Sequence, residues 1–305
     1  MRPARAGILA GVPRSTLRAW LFLAIPMAVL GAFVLVPTVL GLAGAFFDWD
    51  GSGAPRFVGL TNFRTLAGDP RFLPAARNTA VFAVLTVPVQ VLGGFLLAVV
   101  VNAPWFPGRA LVRTMLFMPT VVSIIAIGFV WRWMLDGQGG LVPSAMRAAG
   151  VTPPDFLQGG RVLAGLPGLS WPMLSIAVVQ VWRMAGFCMV LYLAALQSIP
   201  GSMYEAAEID GAGRWQTLRR ITWPGVAPMT AFLAVTGAIG ALQVFDVVWA
   251  MTAEAESDST RVLNTLIFRE FQQSRFGYAS AVGVVIFVAT GVVLLAPRLL
   301  RRGEA

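Results

Sequence analysis

Six long apolar runs separated by short polar segments set the pattern of the chain. They cover residues 19–47, 78–101, 110–135, 171–199, 226–251 and 278–297. None shows the period-two alternation of a barrel strand. Each reaches about 20 residues, the helical length that crosses a hydrocarbon core about 30 Å thick. The pattern predicts an all-α, polytopic membrane protein with six transmembrane helices. The first run is too long for a removable signal peptide and lacks its small-residue cleavage pattern, so it is read as a spanning helix. Pro26, Pro37, Pro88 and Pro119 fall inside the runs. Membrane bundles tolerate such prolines because neighbours re-satisfy the freed carbonyls, and kinks are expected there. Gly-Pro-rich outer segments such as DGQGGLVPSA and AGVTPPDF read as turns around short interfacial helices. No connection is long enough for a soluble domain of any size.

Composition agrees, with 57% hydrophobic residues, 12% charged residues and a mean hydropathy of +0.75. All 23 basic residues are arginine, histidine is absent and Cys188 is the one cysteine. Without lysine there is no P-loop and no Schiff base, without histidine no imidazole base or metal ligand, and without a second cysteine no disulfide within the chain. No nucleophile with its base and no metal-binding cluster is present, which argues against an enzyme. The arginines flank apolar runs and form no single basic tract, so nucleic acid is not an expected partner and membrane lipid is. Arg2, Arg5, Arg14, Arg18, Arg109, Arg113, Arg214, Arg219, Arg220, Arg298, Arg301 and Arg302 lie on one set of short segments. Fewer, Arg56, Arg64, Arg71, Arg77, Arg147, Arg161, Arg261, Arg269 and Arg275, lie on the longer opposite set. This bias predicts both termini in the cytoplasm, and with them the loop at 201–225.

That loop, SMYEAAEIDGAGRWQTLRRITWP, interrupts two apolar runs with a small acidic helix. Pro200-Gly201 ends the fourth run, and Ser202 followed by Glu205 has the spacing of a capping box. At 100° per residue Glu205 and Glu208 share one face, with Met203, Ala206 and Ala207 on another, and Gly211 with Gly213 ends the helix. A lipid-surface helix would carry basic residues on its polar face and larger apolar ones opposite. A docking segment and a plain connection both remain open on residue chemistry alone.

The segment YEAAEIDGAGRWQTLRRITWPGVAP resembles the signature of bacterial ABC-importer permeases: Glu-Ala-Ala, three residues, Gly, nine residues, then Ile-x-Leu-Pro. Glu205, Ala206, Ala207, Gly211, Ile221 and Pro224 fall on that spacing, with Trp223 in place of the leucine. FVGLTNF at 57–63, RNTAVF at 77–82, the segment 113–135, LQSIPGSMYEAAEIDGA at 196–212 and GYASA at 277–281 are similar to the carbohydrate permeases of the maltose and glycerol-phosphate group. One departure is MTAEAESDST at 251–260, where the group carries Thr-x-Gly-Gly-Pro. The resemblance implies a type I importer permease in the bacterial cytoplasmic membrane. Residues 1–18 would be a cytoplasmic tail, 19–72 the first helix and outer loop, 73–297 the importer core and 298–305 a second cytoplasmic tail. It implies that the loop is a coupling helix, with Glu205, Ala206, Ala207, Asp210 and Gly211 meeting a cytoplasmic ABC ATPase dimer. ATP and Mg would be bound by that ATPase, with no cofactor, metal or nucleotide site in this chain. The other implied partners are a second, different permease subunit, an extracytoplasmic solute-binding protein and a sugar substrate.

Polar side chains inside the runs are costly in lipid and face a bundle interior or a cavity. Thr120 and Ser123 in the third run, Gln180 in the fourth and Gln243 in the fifth are candidates for the substrate pathway, as are Met184 and Phe187, which share a helical stripe with Gln180. The same polar residues also fit helix–helix hydrogen bonding, and Met184 fits core filler. Trp131, Arg132 and Trp133 read as interfacial anchors, and Gly93, Gly94, Gly237 and Gly240 as sites of close packing. Asp246 either is solvated or pairs with Arg183. A secondary transporter or channel not driven by ATP would share six spans and buried polar groups, but gives no reason for a capped acidic loop helix.

Overall fold

The computed structural model describes residues 14–103, 107–158, 166–252 and 257–302. Arg2, Arg5, Arg161 and residues 253–256 of the departing outer loop lie outside the described residues. The chain is helical, with α1 (Arg14–Leu30), α2 (Val36–Gly44), α3 (Thr61–Gly68), α4 (Phe72–Asn102), α5 (Arg109–Val121), α6 (Ile124–Leu135) and α7 (Leu141–Ala148). Then come α8 (Trp171–Gln197), α9 (Gly201–Ile209), α10 (Arg214–Thr217), α11 (Trp223–Leu242), α12 (Asp246–Thr252), α13 (Leu263–Gln272) and α14 (Phe276–Arg302). A two-stranded antiparallel ribbon, β1 (Phe47–Asp48) with β2 (Arg56–Phe57), closes the loop after α2.

Five helical segments are long and apolar enough to cross a membrane, and α5 with α6 makes a sixth if the bent pair counts as one crossing. The third run is therefore not the straight span that its hydropathy suggests. It turns by 96° at Val122–Ser123, where both residues leave helical geometry for ψ of 144° and 126°. Pro119 offers no N–H to the preceding turn and weakens the helix just ahead of this break. The fifth run differs too. Its helix starts at Arg214 and stops at Leu242, and α12 restarts after a break at 243–245. Two of the proline-containing helices stay continuous through a π-helical turn. Gly31–Leu35 precedes Pro37 and Leu218–Thr222 precedes Pro224. The wider turn accommodates the carbonyl that a proline leaves without a donor. α4 runs unbroken through Pro88.

The centre of the bundle is α4 against α8. Gly94 lies so close to α8 that a Cβ added there would sit 2.3 Å from the Cys188 Cβ, and one on Gly186 would sit 1.9 Å from the Leu116 carbonyl oxygen of α5. Gly93 and Gly240 have open space around them, so close packing does not explain those two. Phe95, Met189, Tyr192, Val226 and Leu233 form the core on one side of this crossing. Phe82, Ile176, Val179, Val248 and Met251 form the core on the other. The helices that follow the two breaks pack on each other, α6 against α12, with Gly128 close to Ala250. By contrast, no residue in the apolar window of the first helix is buried within the chain. Its apolar surface meets lipid or another protein.

A buried ionic cluster ties the ends of several helices together. Glu270 of α13 is fully buried and holds Arg71 at 2.8 Å and Arg275 at 2.7 Å. Arg71 also pairs with Asp69 at 2.7 Å, and the Tyr278 hydroxyl donates to the same carboxylate. The hydrogen bond from Arg71 outweighs burial and, helped by Tyr278, holds the Asp69 carboxyl well below the ordinary carboxylate range.

Candidate functional site

The loop between α8 and α11 is a rigid helical bracket. Pro200, with ψ of 130°, stands at the N-cap of α9, so the helix begins at Gly201 and Ser202 lies inside its first turn. No side chain caps this end, and the capping box expected of Ser202 and Glu205 is not formed. The other end follows the glycine reading. Gly211 takes φ of +71°, its N–H donates to the Glu208 carbonyl, and the Ala212 N–H reaches back to Ala207 at 2.9 Å. This is the hydrogen-bond pattern of a left-handed glycine stop, which a Cβ would strain. From Arg214 one helical segment then continues to Leu242, with the Gly213 N–H donating to Gln216 Oε1 at 3.1 Å.

Which face of α9 points outward is set by contacts from elsewhere in the chain. Tyr204 Oη lies 3.2 Å from Thr222 Oγ1. Tyr204 and Glu208 line a cleft of about 520 Å³ with Val99, Asn102, Thr217 and Thr222. Ala207 is buried at 8% exposure. Ala207 thus faces its own membrane helices, and the two alanines do not share a surface. The outward set is Met203, Glu205, Ala206, Ile209 and Asp210, with Ile209 87% exposed. Ile209 and the exposed Trp215 were missed in the sequence because an apolar residue in a short helix reads as its inward side. Exposed apolar side chains grouped on a rigid polar segment are the composition of a protein-docking surface.

The pathway candidates divide into three places. Thr120 donates to the Arg183 carbonyl at 2.9 Å, which bolts α5 to α8. Ser123 is exposed at the 96° break. Gln180, Met184 and Phe187 are half-buried along one stripe of α8. Arg183 belongs to that stripe as well, three residues from Gln180 and four from Phe187. Gln243 is not brought to it. It opens into a separate cleft of about 650 Å³ with Phe245, Asn264, Phe268, Phe271 and Thr290, between the end of α11 and helices α13 and α14. Trp131 is half-buried and packs edge-on against Trp182 at 5.8 Å and against the core. Trp133 and Arg132 are exposed, beside Phe129 and Asp136.

The described residues thus form a bundle of candidate membrane-crossing helices with two broken segments and a helical bracket between the fourth and fifth crossings. Residues 71–302 match the family of binding-protein-dependent transport system inner membrane components, and the chain belongs to that family. It is 33% identical to the lactose transport system permease protein LacF of Rhizobium radiobacter, over 90% of both chains. It is 34% identical to the diacetylchitobiose uptake system permease protein NgcF of Streptomyces coelicolor, over 93% of this chain and 83% of that one. A crystal structure of a bacterial ABC transporter involved in import of the acidic polysaccharide alginate contains a chain that superposes with a TM-score of 0.79. That chain is 29% identical and covers 95% of this chain and 98% of its own. The protein is accordingly a multi-pass inner-membrane subunit of a binding-protein-dependent ABC importer.

Proposed function

We propose that the chain forms half of the membrane pathway of an importer for a saccharide, and that α9 transmits the work of a separate ABC ATPase dimer. A second, different permease subunit completes the pathway. An extracytoplasmic solute-binding protein delivers the substrate, and ATP and Mg act on the ATPase. Both termini and α9 lie in the cytoplasm. Lactose, diacetylchitobiose and starch degradation products appear in the names of relatives that align over about nine-tenths of the chain, which supports the saccharide class.

The observation that carries the coupling role is the bracket itself. An outward face of Met203, Ala206 and Ile209 is backed by Ala207 and Tyr204, and the bracket runs on through one helical segment to Leu242. Force applied to α9 therefore has a continuous helical route, about 43 Å long from Arg214, to the α11–α12 break. Alanine at 206 allows close approach, and Glu205 offers a carboxylate to a basic group on the partner.

The test is uptake into proteoliposomes holding both permease subunits and the ATPase, with the solute-binding protein outside and ATP inside. Uptake is expected to require ATP and to survive collapse of ion gradients by an ionophore. Gly211→Asp and Glu205→Lys are expected to insert normally, lose ATPase during purification and lose uptake. Uptake driven by an ion gradient without ATP would overturn the proposal in favour of a secondary transporter.

A further inference from the structure

Arg183 stands near the middle of α8, twelve residues after Trp171 and fourteen before Gln197. At 1.5 Å per residue it lies about 18 Å from one end of the helix and about 21 Å from the other, the depth of the bilayer centre. A guanidinium there is among the costliest groups a spanning helix can hold, and it persists only facing an aqueous path or a counter-charge. Arg183 is half-buried, and its Nε is buried with no hydrogen-bond partner among the described residues. No carboxylate of the described residues stands within 4.0 Å of it. The acid whose charge reaches it is Asp246, an exposed residue at the start of α12. The expected alternative of an Arg183–Asp246 ion pair is therefore not realised. The side chain is not needed to hold α5 either, because the Thr120 bond is made to its backbone carbonyl.

Gln180 lies one turn from Arg183 on one side and Phe187 one turn away on the other. Ile176 and Val179, nearer the start of α8, belong to the same apolar core as Val248 and Met251 of α12. Further along the stripe, the Arg183 carbonyl accepts from Thr120, two residues before the α5–α6 break, and the Arg183 side chain feels the charge of Asp246, just after the α11–α12 break. The stripe presents an amide, a guanidinium and an aromatic ring along one helix face. A neutral sugar can be bound by the amide and the ring alone. The guanidinium adds a fork of donors that matches an oxyanion in two-point contact, and a charge that no carboxylate of the described residues meets within 4.0 Å.

We propose that Arg183 is the residue that selects for charge in the pathway, and that the transported solute is a saccharide bearing an oxyanion, a carboxylate or a phosphate. This rests on the importer reading above, with Arg183 contacting the solute as it passes. Gln180 and Phe187 would then hold the sugar ring and its hydroxyls, and Arg183 the anionic substituent.

The experiment uses the assembled transporter, both permease subunits with the ATPase, in nanodiscs and without the solute-binding protein, whose own selectivity would mask that of the pathway. Saturation-transfer NMR compares digalacturonate, glucose 6-phosphate and the neutral disaccharide galactobiose. The wild-type complex is expected to bind at least one charged probe at least tenfold more tightly than galactobiose, and the pattern between the two charged probes tells carboxylate from phosphate. Arg183→Gln is expected to abolish the preference while galactobiose binding stays, and Arg183→Lys to keep part of it. Equal binding of charged and neutral probes, binding of none of them, or a preference that survives Arg183→Gln would overturn the inference. If Arg183→Gln does not assemble, the wild-type comparison decides alone. Failure of the importer reading shows separately, as uptake that does not need ATP.

Discussion

Gly93 and Gly94 are neighbours in one helix, alike in sequence and opposite in environment. Replacing either with alanine adds one methyl group to α4. At 94 the new Cβ would lie 2.3 Å from the Cys188 Cβ and 3.0 Å from the Cys188 carbonyl carbon and the Met189 nitrogen. Ordinary carbon contacts sit at about 3.5–4.0 Å, so α4 and α8 must part by roughly 1.2 Å or more at their tightest crossing. Two of the three obstacles are backbone atoms, which cannot swing away. Overpacking of this kind costs about 1–3 kcal/mol. The separation also thins contacts made by Phe95, Met189 and Tyr192 in the adjoining core, and a gap of that width forfeits a quarter to a half of each dispersion well. The gain in helix propensity from Gly to Ala, about 1 kcal/mol, offsets part of this. The balance for Gly94→Ala is a loss of up to about 2 kcal/mol. At Gly93 nothing lies within 4 Å, so only the propensity term remains and Gly93→Ala is neutral or stabilising by up to about 1 kcal/mol. Cys188 provides the assay, because it is the single cysteine and is 2% exposed. A fluorogenic maleimide should react with it only as the bundle opens, so a thermal ramp in detergent reads the midpoint directly. Gly94→Ala is expected to lower that midpoint by several degrees and Gly93→Ala to leave or raise it. Equal midpoints for the two variants would refute the packing argument.

Two further outcomes follow from the Asp69–Arg71–Glu270 cluster and from the expected topology. Because the Asp69 carboxyl is held below its ordinary value, it contributes stability that is present above the ordinary value of about 3.9 and is lost progressively as the pH falls from there through its lower folded-state value. Asp69→Asn should therefore abolish that acid-sensitive part of the thermal midpoint, and a wild-type midpoint that already falls between pH 7 and pH 5 with the slope of this one group would contradict the assignment. In a Cys188→Ala background, a cysteine at the exposed Ser202 should be labelled only from the cytoplasm and one at the exposed Ser257 only from outside, since α11 is the crossing between them; labelling of both from one side would remove that crossing.

The sequence made the apolar runs, the spacing of the loop signature and the glycine stop at Gly211 legible, because each depends on residues close together in the chain. The breaks were less visible. Hydropathy counts residues as though a helix continues, and neither Val122–Ser123 nor 243–245 carries a polar interruption strong enough to end an apolar run. Proline was an ambiguous guide, since α4 passes through Pro88 while the helix with Pro119 bends by 96° a few residues on. The face of α9 was illegible for a different reason. A helical wheel groups Ala206 with Ala207, yet the orientation is fixed by Tyr204 meeting Thr222, a contact from the next helical segment. Gln243 ends α11 and lines a cleft with residues of α13 and α14, a position that hydropathy along an apparently unbroken fifth run does not reveal.

The central claim is that α9 receives the ATPase on its outward face, and cross-linking measures it most directly. Single cysteines at Ala206 and Ala207, in a Cys188→Ala background, are treated with a short bifunctional maleimide in membranes containing the whole transporter and an ATPase bearing one cysteine in its permease-facing groove. Ala206 is exposed and Ala207 is buried at 8%. The account predicts a permease–ATPase adduct through position 206, formed from the cytoplasmic side and changing in yield when ATP is added, with little or none through 207. An adduct absent at 206, or equal at the two positions and indifferent to ATP, would contradict it.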